Sequence, residues 1–417
     1  NMEYYAEVLL IAIPGFFIFL IFEGLYGHFK KNQTLKFMDT LSSLCSGITN
    51  ILKDSLGIIF IIISYPYLLD FMSISEIEAS ISSYILAFIC IDFASYWGHR
   101  LSHKVNIFWN KHVIHHSSEE FNLACALRQS ISTIIGFRSI FLIPAAIIGF
   151  PSEIIITLTP IHLFAQFWYH TQHIGKLGIL EYIIVTPSQH RVHHAINPIY
   201  IDKNLSAIFC IWDRIFGTFQ EELDNEKPVY GVLSPVRTWN PVLINFQHFF
   251  SLLRDFWYTK KINDKIILWF MPTGWRPNDV SLRFPKNKIN NIKNHKKYNP
   301  SYSYLMKSIA LFHFISINIM LSYLLINFKE INEIIRIEIG LFIFISVFGF
   351  TSYMDKHKWS IKFEFFRSLT TIFMPYILIF QSYQISAFLF WFYIFYGLAT
   401  FFLVLNSKKE IFSKENV

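Results

Sequence analysis

Apolar runs alternate with short polar connections along nearly the whole chain. A helix needs about 20 mostly apolar residues to cross a bilayer. On that scale the pattern predicts about nine membrane spans: 8–27, 44–69, 81–97, 131–150, 154–169, 304–328, 339–353, 363–379 and 385–405. Lys53 and Asp54 interrupt the second, so part of it is expected at the interface or inside protein. The fourth and fifth are joined by a tight Pro151-Ser152-Glu153 turn, and Pro160 should bend the fifth. Between 170 and 300 the pattern turns polar and basic. Two aromatic, half-apolar stretches there, 246–258 and 266–270, read as helices lying in the headgroup plane. The expected fold is therefore an all-α polytopic membrane protein in two parts: a catalytic 1–300, with its core at 80–235, and a four-helix C-terminal bundle at 301–417.

Charge orients this arrangement. With nine spans, Lys30 and Lys31, the 98–130 and 170–300 segments, Lys356, Lys358 and the tail bases Lys408 and Lys409 share one side. The acid-bearing connections 70–78 and 329–338 fall on the other. Basic loops mark the cytoplasmic side of a multi-pass protein. The net charge of +7 has its account there, and with no reader motif nucleic acid is excluded as a partner. A composition 53% hydrophobic and only 16% charged excludes an ordinary soluble domain. The Asn1-Met2 start reads as one residue ahead of an initiator, and the long first run, followed by lysines, does not read as a cleavable signal. Cys45, Cys90, Cys125 and Cys210 lie far apart without a CxxC spacing, so buried core positions are expected of them.

The chemistry lies in the histidines. Eleven of sixteen fall between His99 and His194, and eight form three clusters: His99-Arg100-Leu101-Ser102-His103, His112-Val113-Ile114-His115-His116 and His190-Arg191-Val192-His193-His194. Spacings of three and four place side chains on one helical face, so each cluster can aim two or three imidazoles at one point. Neutral imidazole is a strong metal donor, and eight of them, with no clustered cysteine, suffice for two metal ions. Imidazole suits iron, zinc, copper and nickel alike. A site at the ends of membrane spans suggests a lipid substrate. Breaking an unactivated C–H bond of a lipid calls for redox iron and O2, chemistry that zinc lacks. The C-terminal bundle holds only His313 and His357, unpaired, and reads as scaffold or as the wall of a lipid cavity.

The order HxxxH, HxxHH, HxxHH resembles the fatty acid hydroxylase / sterol desaturase superfamily of membrane di-iron enzymes. The likeness to its alkylglycerol monooxygenase-like branch is closer. It rests on His115-His116-Ser117-Ser118-Glu119, Asn122, Ala126-Leu127-Arg128-Gln129-Ser130, Phe167-Trp168, His170-Thr171, Leu177-Gly178 and Thr186-Pro187-Ser188, and on the third cluster. Asp202-Lys203-Asn204, Trp212-Asp213-Arg214 and Phe216-Gly217-Thr218-Phe219 complete it. It covers about residues 80–235 strongly and the flanking spans by layout.

The resemblance implies that His99, His103, His112, His115, His116, His190, His193 and His194 ligate two irons, with His170 as a ninth ligand. His173 could join from one turn later but reads rather as an interfacial histidine; His28, His162, His248 and His295 read as non-ligands. Partners behind the ligands should orient the rings. Asp92, seven residues before His99 and on its helical face, is one candidate, with Glu119, Asn122, Asp202 and Asp213; capping or loop hydrogen bonding would explain each equally. Members of the branch from animals tend to carry an acid where this chain has Lys104, and bacterial relatives often a base. Ala195-Ile196-Asn197 stands where the branch usually has Gly-Arg-Asn, and Leu205-Ser206-Ala207 where it has Tyr-Gly-Gly. These departures spare every expected ligand and fall where a substrate or pterin would be gripped.

The activity so implied is oxygen insertion into a lipid C–H bond. On an alkylglycerol, attack next to the ether oxygen gives a hemiacetal that collapses to aldehyde and glycerol; on an acyl chain or sterol it gives an alcohol or alkene. Lys203, Arg191 or Arg214 could hold a polar headgroup, or simply meet phosphates at the membrane surface. No haem or flavin motif is present, so the electron donor is separate: tetrahydropterin by the resemblance, a redox protein otherwise. Zinc could replace iron in a purified sample. Two rival readings are a non-catalytic lipid-binding or sensing protein with a structural metal, and a transporter with a histidine relay. The relay would place its ionisable groups at mid-membrane, not at span ends.

Overall fold

The computed structural model describes residues 2–57, 60–61, 64–132, 135–136 and 138–412. Its first part runs α1 (Met2–Phe29), α2 (Phe37–Ser55), α3 (Tyr65–Met72), α4 (Ile81–Lys104), α5 (Asn106–Trp109) and α6 (Val113–His116). It continues through α7 (Ile143–Ile148), α8 (Ser152–Phe164), α9 (Pro187–His193), α10 (Ile211–Ile215), α11 (Pro241–Tyr258), α12 (Ile262–Ile267) and α13 (Asn278–Arg283). The C-terminal bundle is α14 (Tyr304–Ile326), α15 (Glu333–Met354), α16 (Lys358–Phe380) and α17 (Ala387–Phe412). Sheet structure among the described residues is one parallel pairing of Phe60–Ile61 with Ile135–Gly136.

Six of these helices are long and apolar enough to cross a membrane: α1, α4 and α14 to α17. Among the described residues the other three stretches expected to span do not form single spanning helices, and each has a local cause. The stretch 44–69 divides between α2 and α3. The serines and threonine of α2 make it a poor lipid-facing helix: Ser42, Ser43, Ser46 and Thr49 are buried against protein, with Ser42 Oγ donating to the Trp239 carbonyl at 2.7 Å. Stretch 131–150 yields a 3-10 turn at Arg138–Leu142 and the short α7, which Gly149 stops in a left-handed conformation (φ 91°). The stretch 154–169 yields α8, whose 13 residues reach about 20 Å, short of the roughly 30 Å hydrocarbon core. The amphipathic stretch 246–258 lies within α11, which exposes Phe250 and Trp257. Residues 266–270 begin in α12 and run past its end.

α4 is the beam that carries the site. Ser80 opens it with a capping box, its Oγ accepting from the Ser83 amide while Ser83 Oγ accepts from the Ser80 amide. Its apolar face packs Ala87 and Ile91 against Ala145, Ala146 and Ile154 of α7 and α8. α14 to α17 share a continuous core with α1 and α2, including Cys45, Ile48, Ile317, Ile343 and Tyr396. Within it Arg367 and Glu364 of α16 form a buried bidentate pair. Ser346 of α15 and Tyr396 of α17 accept from the same guanidinium, and Tyr396 meets His313 of α14 at 2.8 Å. His313 is thus partnered, and the knot ties all four helices together.

Long-range contacts sort the connections into two ends. Glu7 of α1 meets Lys329 of the α14–α15 connection at one end. At the other, Thr34 accepts from Asn122, and Asp355, after α15, accepts from the Trp239 amide and Tyr298. The histidine clusters belong to this second end.

Candidate metal centre

The end of the long α4, the short α6 and α9, and one loop deliver the clustered imidazoles. His99 and His103 occupy the last turns of α4, one above the other. His112 starts α6 at its N-cap, and His115 and His116 end it. Thr186-Pro187 starts α9, proline fitting the first helical position. His190 and His193 follow in its last turn, with His194 as C-cap. His170 comes from the loop after α8.

The nine rings fall into two groups, each with one nitrogen per residue within 4.8 Å of the others: His99, His103, His112, His116 and His193, and His115, His170, His190 and His194. Helix geometry explains the division. Residues i and i+4 share a face, whereas i+3 and i+4, as neighbours in sequence, diverge by about 100°. Each HxxHH turn therefore sends its i, i+4 pair to one group and its i+3 residue to the other. His112 and His116 enter the five-nitrogen group while His115 crosses over; His190 and His194 enter the four-nitrogen group while His193 crosses over.

The atoms facing each other suit a cation. A neutral imidazole carries one N–H and one lone pair. His99 Nδ1 lies 2.7 Å from the Leu205 carbonyl, His193 Nδ1 2.9 Å from that of Lys203, and His170 Nδ1 3.1 Å from that of Gln166. Each Nδ1 must then carry the proton, which leaves a lone pair on Nε2. In the second group four Nε2 atoms close a ring: His170 to His190 2.9 Å, His190 to His194 3.0 Å, His194 to His115 3.1 Å and His115 to His170 3.4 Å. Nitrogens about 2.1 Å from a common metal stand roughly 3.0 to 3.4 Å apart, from right-angled to tetrahedral geometry. In the first group His99 and His112 meet Nε2 to Nε2 at 2.8 Å, and His112 and His116 at 3.1 Å. The Nε2 atoms of His103 and His193 are buried without a partner. A proton can bridge one such pair; a cation satisfies all of them at once. The residues present fit two metal ions.

Burial, followed by the neighbouring imidazoles, holds His112, His116, His190 and His194 well below the ordinary histidine pKa. His115 is lowered to about 4, again chiefly by burial. These five rings are therefore neutral donors at physiological pH. No cysteine or carboxylate joins either group among the described residues; Cys45, Cys125 and Cys210 are buried and all four thiols are free.

Of the five candidate orienting residues, Asp202 reaches a clustered ring: its Oδ1 lies 3.2 Å from His103 Nδ1, and its Oδ2 accepts from Lys104 at 2.7 Å. Among the described residues the other four make no hydrogen bond to a clustered imidazole. Asp92 accepts from the Ile208 and Phe209 amides, Trp212 and His162, and Asp213 from the Leu205 and Ser206 amides. Both clamp the loop that presents the Leu205 carbonyl to His99. Glu119 pairs with His295 and the Tyr298 amide, and Asn122 caps the 3-10 turn Leu123–Leu127. Arg191 is not free for a headgroup: Glu222 holds it bidentately, and its Nη1 donates to the Thr171 and Ile174 carbonyls. Arg214 lies over the Phe219 ring. His28 is exposed and His248 meets the Asn106 carbonyl. His173 meets Thr34 and stands outside both groups.

Sequence reasoning named Asp202 as a candidate but missed the backbone role of segment 202–205. Its Asp202 side chain and the Lys203 and Leu205 carbonyls orient three of the five rings in one group. Left-handed backbone at Asp202 (φ 57°) and Asn204 (φ 52°) makes this possible, and Asn204 is fixed by bonds to the Gln189 and Gln220 carbonyls. The Asp-Lys-Asn run was the available signal, since Asp and Asn tolerate that conformation best. The departure at Leu205-Ser206-Ala207 falls where the Leu205 carbonyl meets His99; in Ala195-Ile196-Asn197 the unchanged Asn197 donates to Glu226 and the Lys227 carbonyl.

Comparison with known proteins agrees in kind. Residues 84–218 match the fatty acid hydroxylase family. The chain is 36% identical over 316 residues to an alkylglycerol monooxygenase of Xenopus tropicalis, covering 76% of this chain and 70% of that one. Against the Homo sapiens alkylglycerol monooxygenase it is 39% identical over 269 residues (64% and 59%), and against the Danio rerio one 32% over 360 (85% and 79%). No solved structure matches it.

Proposed function

Because this chain belongs to the alkylglycerol monooxygenase family, with a fatty acid hydroxylase domain, we propose that it cleaves the ether bond of alkylglycerol-type lipids in the membrane. The observation that carries the reading is the pair of converging nitrogen groups. The nine histidines would hold two irons there. Bound iron would supply activation of O2 with two electrons from an external donor, tetrahydropterin or a redox protein. One oxygen atom enters the C–H bond next to the ether oxygen, the other leaves as water with two protons. The hemiacetal then collapses to a fatty aldehyde and glycerol.

The chain's own residues prepare that chemistry. Segment 202–205 and the Gln166 carbonyl fix ring tautomers before any ion arrives, so little reorganisation is needed on binding. Burial keeps His112, His115, His116, His190 and His194 neutral and competing water away. The long lipid-facing helices would admit substrate laterally from the bilayer. We place the histidine end on the cytoplasmic side, because the basic connections gather there and the acid-bearing 70–78 connection does not.

The test uses full-length protein in nanodiscs, an alkylglycerol labelled in its alkyl chain, ¹⁸O2 and a reduced pterin. Release of labelled aldehyde and glycerol is expected, dependent on iron and abolished by His190→Ala. A stable alcohol with the ether intact would instead assign a hydroxylase. No oxygen consumption by iron-loaded protein with any alkylglycerol, acyl lipid or sterol would contradict the enzyme assignment.

A further inference from the structure

One buried carboxylate has no part in the site described above. Glu23 lies in α1, a helix that otherwise shows Phe22, Leu25 and Tyr26 to the outside. Its side chain is only 6% exposed. An ionisable group in such a helix is costly and is retained where it meets specific partners. Glu23 has two: its Oε1 accepts from Thr171 Oγ1 at 3.1 Å and its Oε2 from the Leu123 amide at 2.8 Å.

Both partners lead to the metal groups. Thr171 follows His170 directly, and its carbonyl is held from the other side by Arg191. Leu123 opens the turn leading to Arg128, whose Nη1 donates to Ser117, the residue after His116. α1 also packs Phe16 and Phe19 on Phe167, three residues before His170, with ring centroids 4.8 and 5.9 Å apart. His170 is the one ligand candidate carried by a loop instead of a helical turn, so its backbone needs an external brace. The geometry points to Glu23 as a positioning residue for the four-nitrogen group, holding the His170 loop and the 117–128 segment at a fixed separation. This rests on the two-ion reading above.

The experiment is anaerobic Fe(II) titration of full-length protein in detergent, with chelator competition, comparing wild type, Glu23→Ala, Glu23→Gln and Thr171→Val. Wild type should bind about two ions. Glu23→Ala should keep one at unchanged affinity and bind the second about 10–100-fold more weakly, the usual cost of losing a brace behind a ligand. Adding His193→Ala, which disrupts the other group, should remove the ion that remains. Glu23→Gln should restore the second ion, its amide oxygen accepting from Leu123 while its NH2 donates to Thr171. Thr171→Val removes the same link from the other partner and covers the case where Glu23→Ala does not fold. Tight binding of both ions to Glu23→Ala and Thr171→Val, or loss of both in proportion to unfolded protein, would overturn the inference. Fewer than two ions on wild type would overturn the two-ion reading itself.

Discussion

Asp202→Asn isolates one charge behind one ligand. The substitution keeps the side-chain shape and an acceptor oxygen, and asparagine tolerates the left-handed backbone of this position (φ 57°). What it removes is the negative charge 3.2 Å from His103 Nδ1. A hydrogen bond to a charged group contributes about 1.5–3 kcal/mol. Asp202 is 26% exposed and shares its carboxylate with Lys104, so the lower end applies. About 1.4 kcal/mol is tenfold in affinity, so the ion in the five-nitrogen group should bind about tenfold more weakly. The other ion should be unchanged. Lys104 is 51% exposed, and an exposed pair contributes roughly 0.2–1 kcal/mol, so Lys104→Ala should alter affinity by about fivefold at most. Metal titration with chelator competition reads all three. Equal weakening of both ions in Asp202→Asn, or no weakening, would refute the tie from carboxylate to ring to metal.

Gly149→Ala should lower the thermal midpoint sharply, because the added Cβ would lie 1.8 Å from the Ser75 carbonyl oxygen at a residue with φ 91°; a midpoint within a degree of wild type would contradict the α7–α8 junction described. Arg128→Met leaves Asp39 buried without its cation, which should cost about 3–5 kcal/mol and is read by thermal or denaturant unfolding in detergent. Metal-stripped protein should lose stability on acidification: the lowered pKa of His115, about 4, and of His112, His116, His190 and His194 means the folded state resists protonation that the unfolded chain accepts near 6.5. That contribution is complete above about pH 6.5 and is lost as pH falls toward 4; a midpoint flat from pH 7 to 4.5 would contradict it.

The histidines were legible because their spacing is itself the geometry: i, i+3 and i+4 on a turn decide which ring faces which group. Their orienters were less so. Seven-residue spacing put Asp92 on the face of His99, yet the carboxylate turns to His162, the Ile208 and Phe209 amides and the Trp212 indole, which no spacing rule conveys. The Lys203 and Leu205 carbonyls carry no sequence identity at all, and only left-handed backbone at Asp202 and Asn204 aims them. The long apolar helices α1, α4 and α14 to α17 were readable as spans for the converse reason, being continuous and long. In 44–69 Lys53 and Asp54 signalled that part lies inside protein, as α2 does, whereas its serines and threonine read as tolerable within a span and so hid how much of it faces protein. Glu23 gave no signal: a lone acid near the end of an apolar run looks like a boundary residue.

The central claim is that nine imidazoles hold two metal ions, and metal content tests it most directly. Full-length protein purified anaerobically from iron-supplemented cells should contain about two irons per chain, one for each nitrogen group. His193→Ala, folded by circular dichroism, should contain fewer. A well-folded wild-type protein that holds no metal and takes up none on titration would contradict the account.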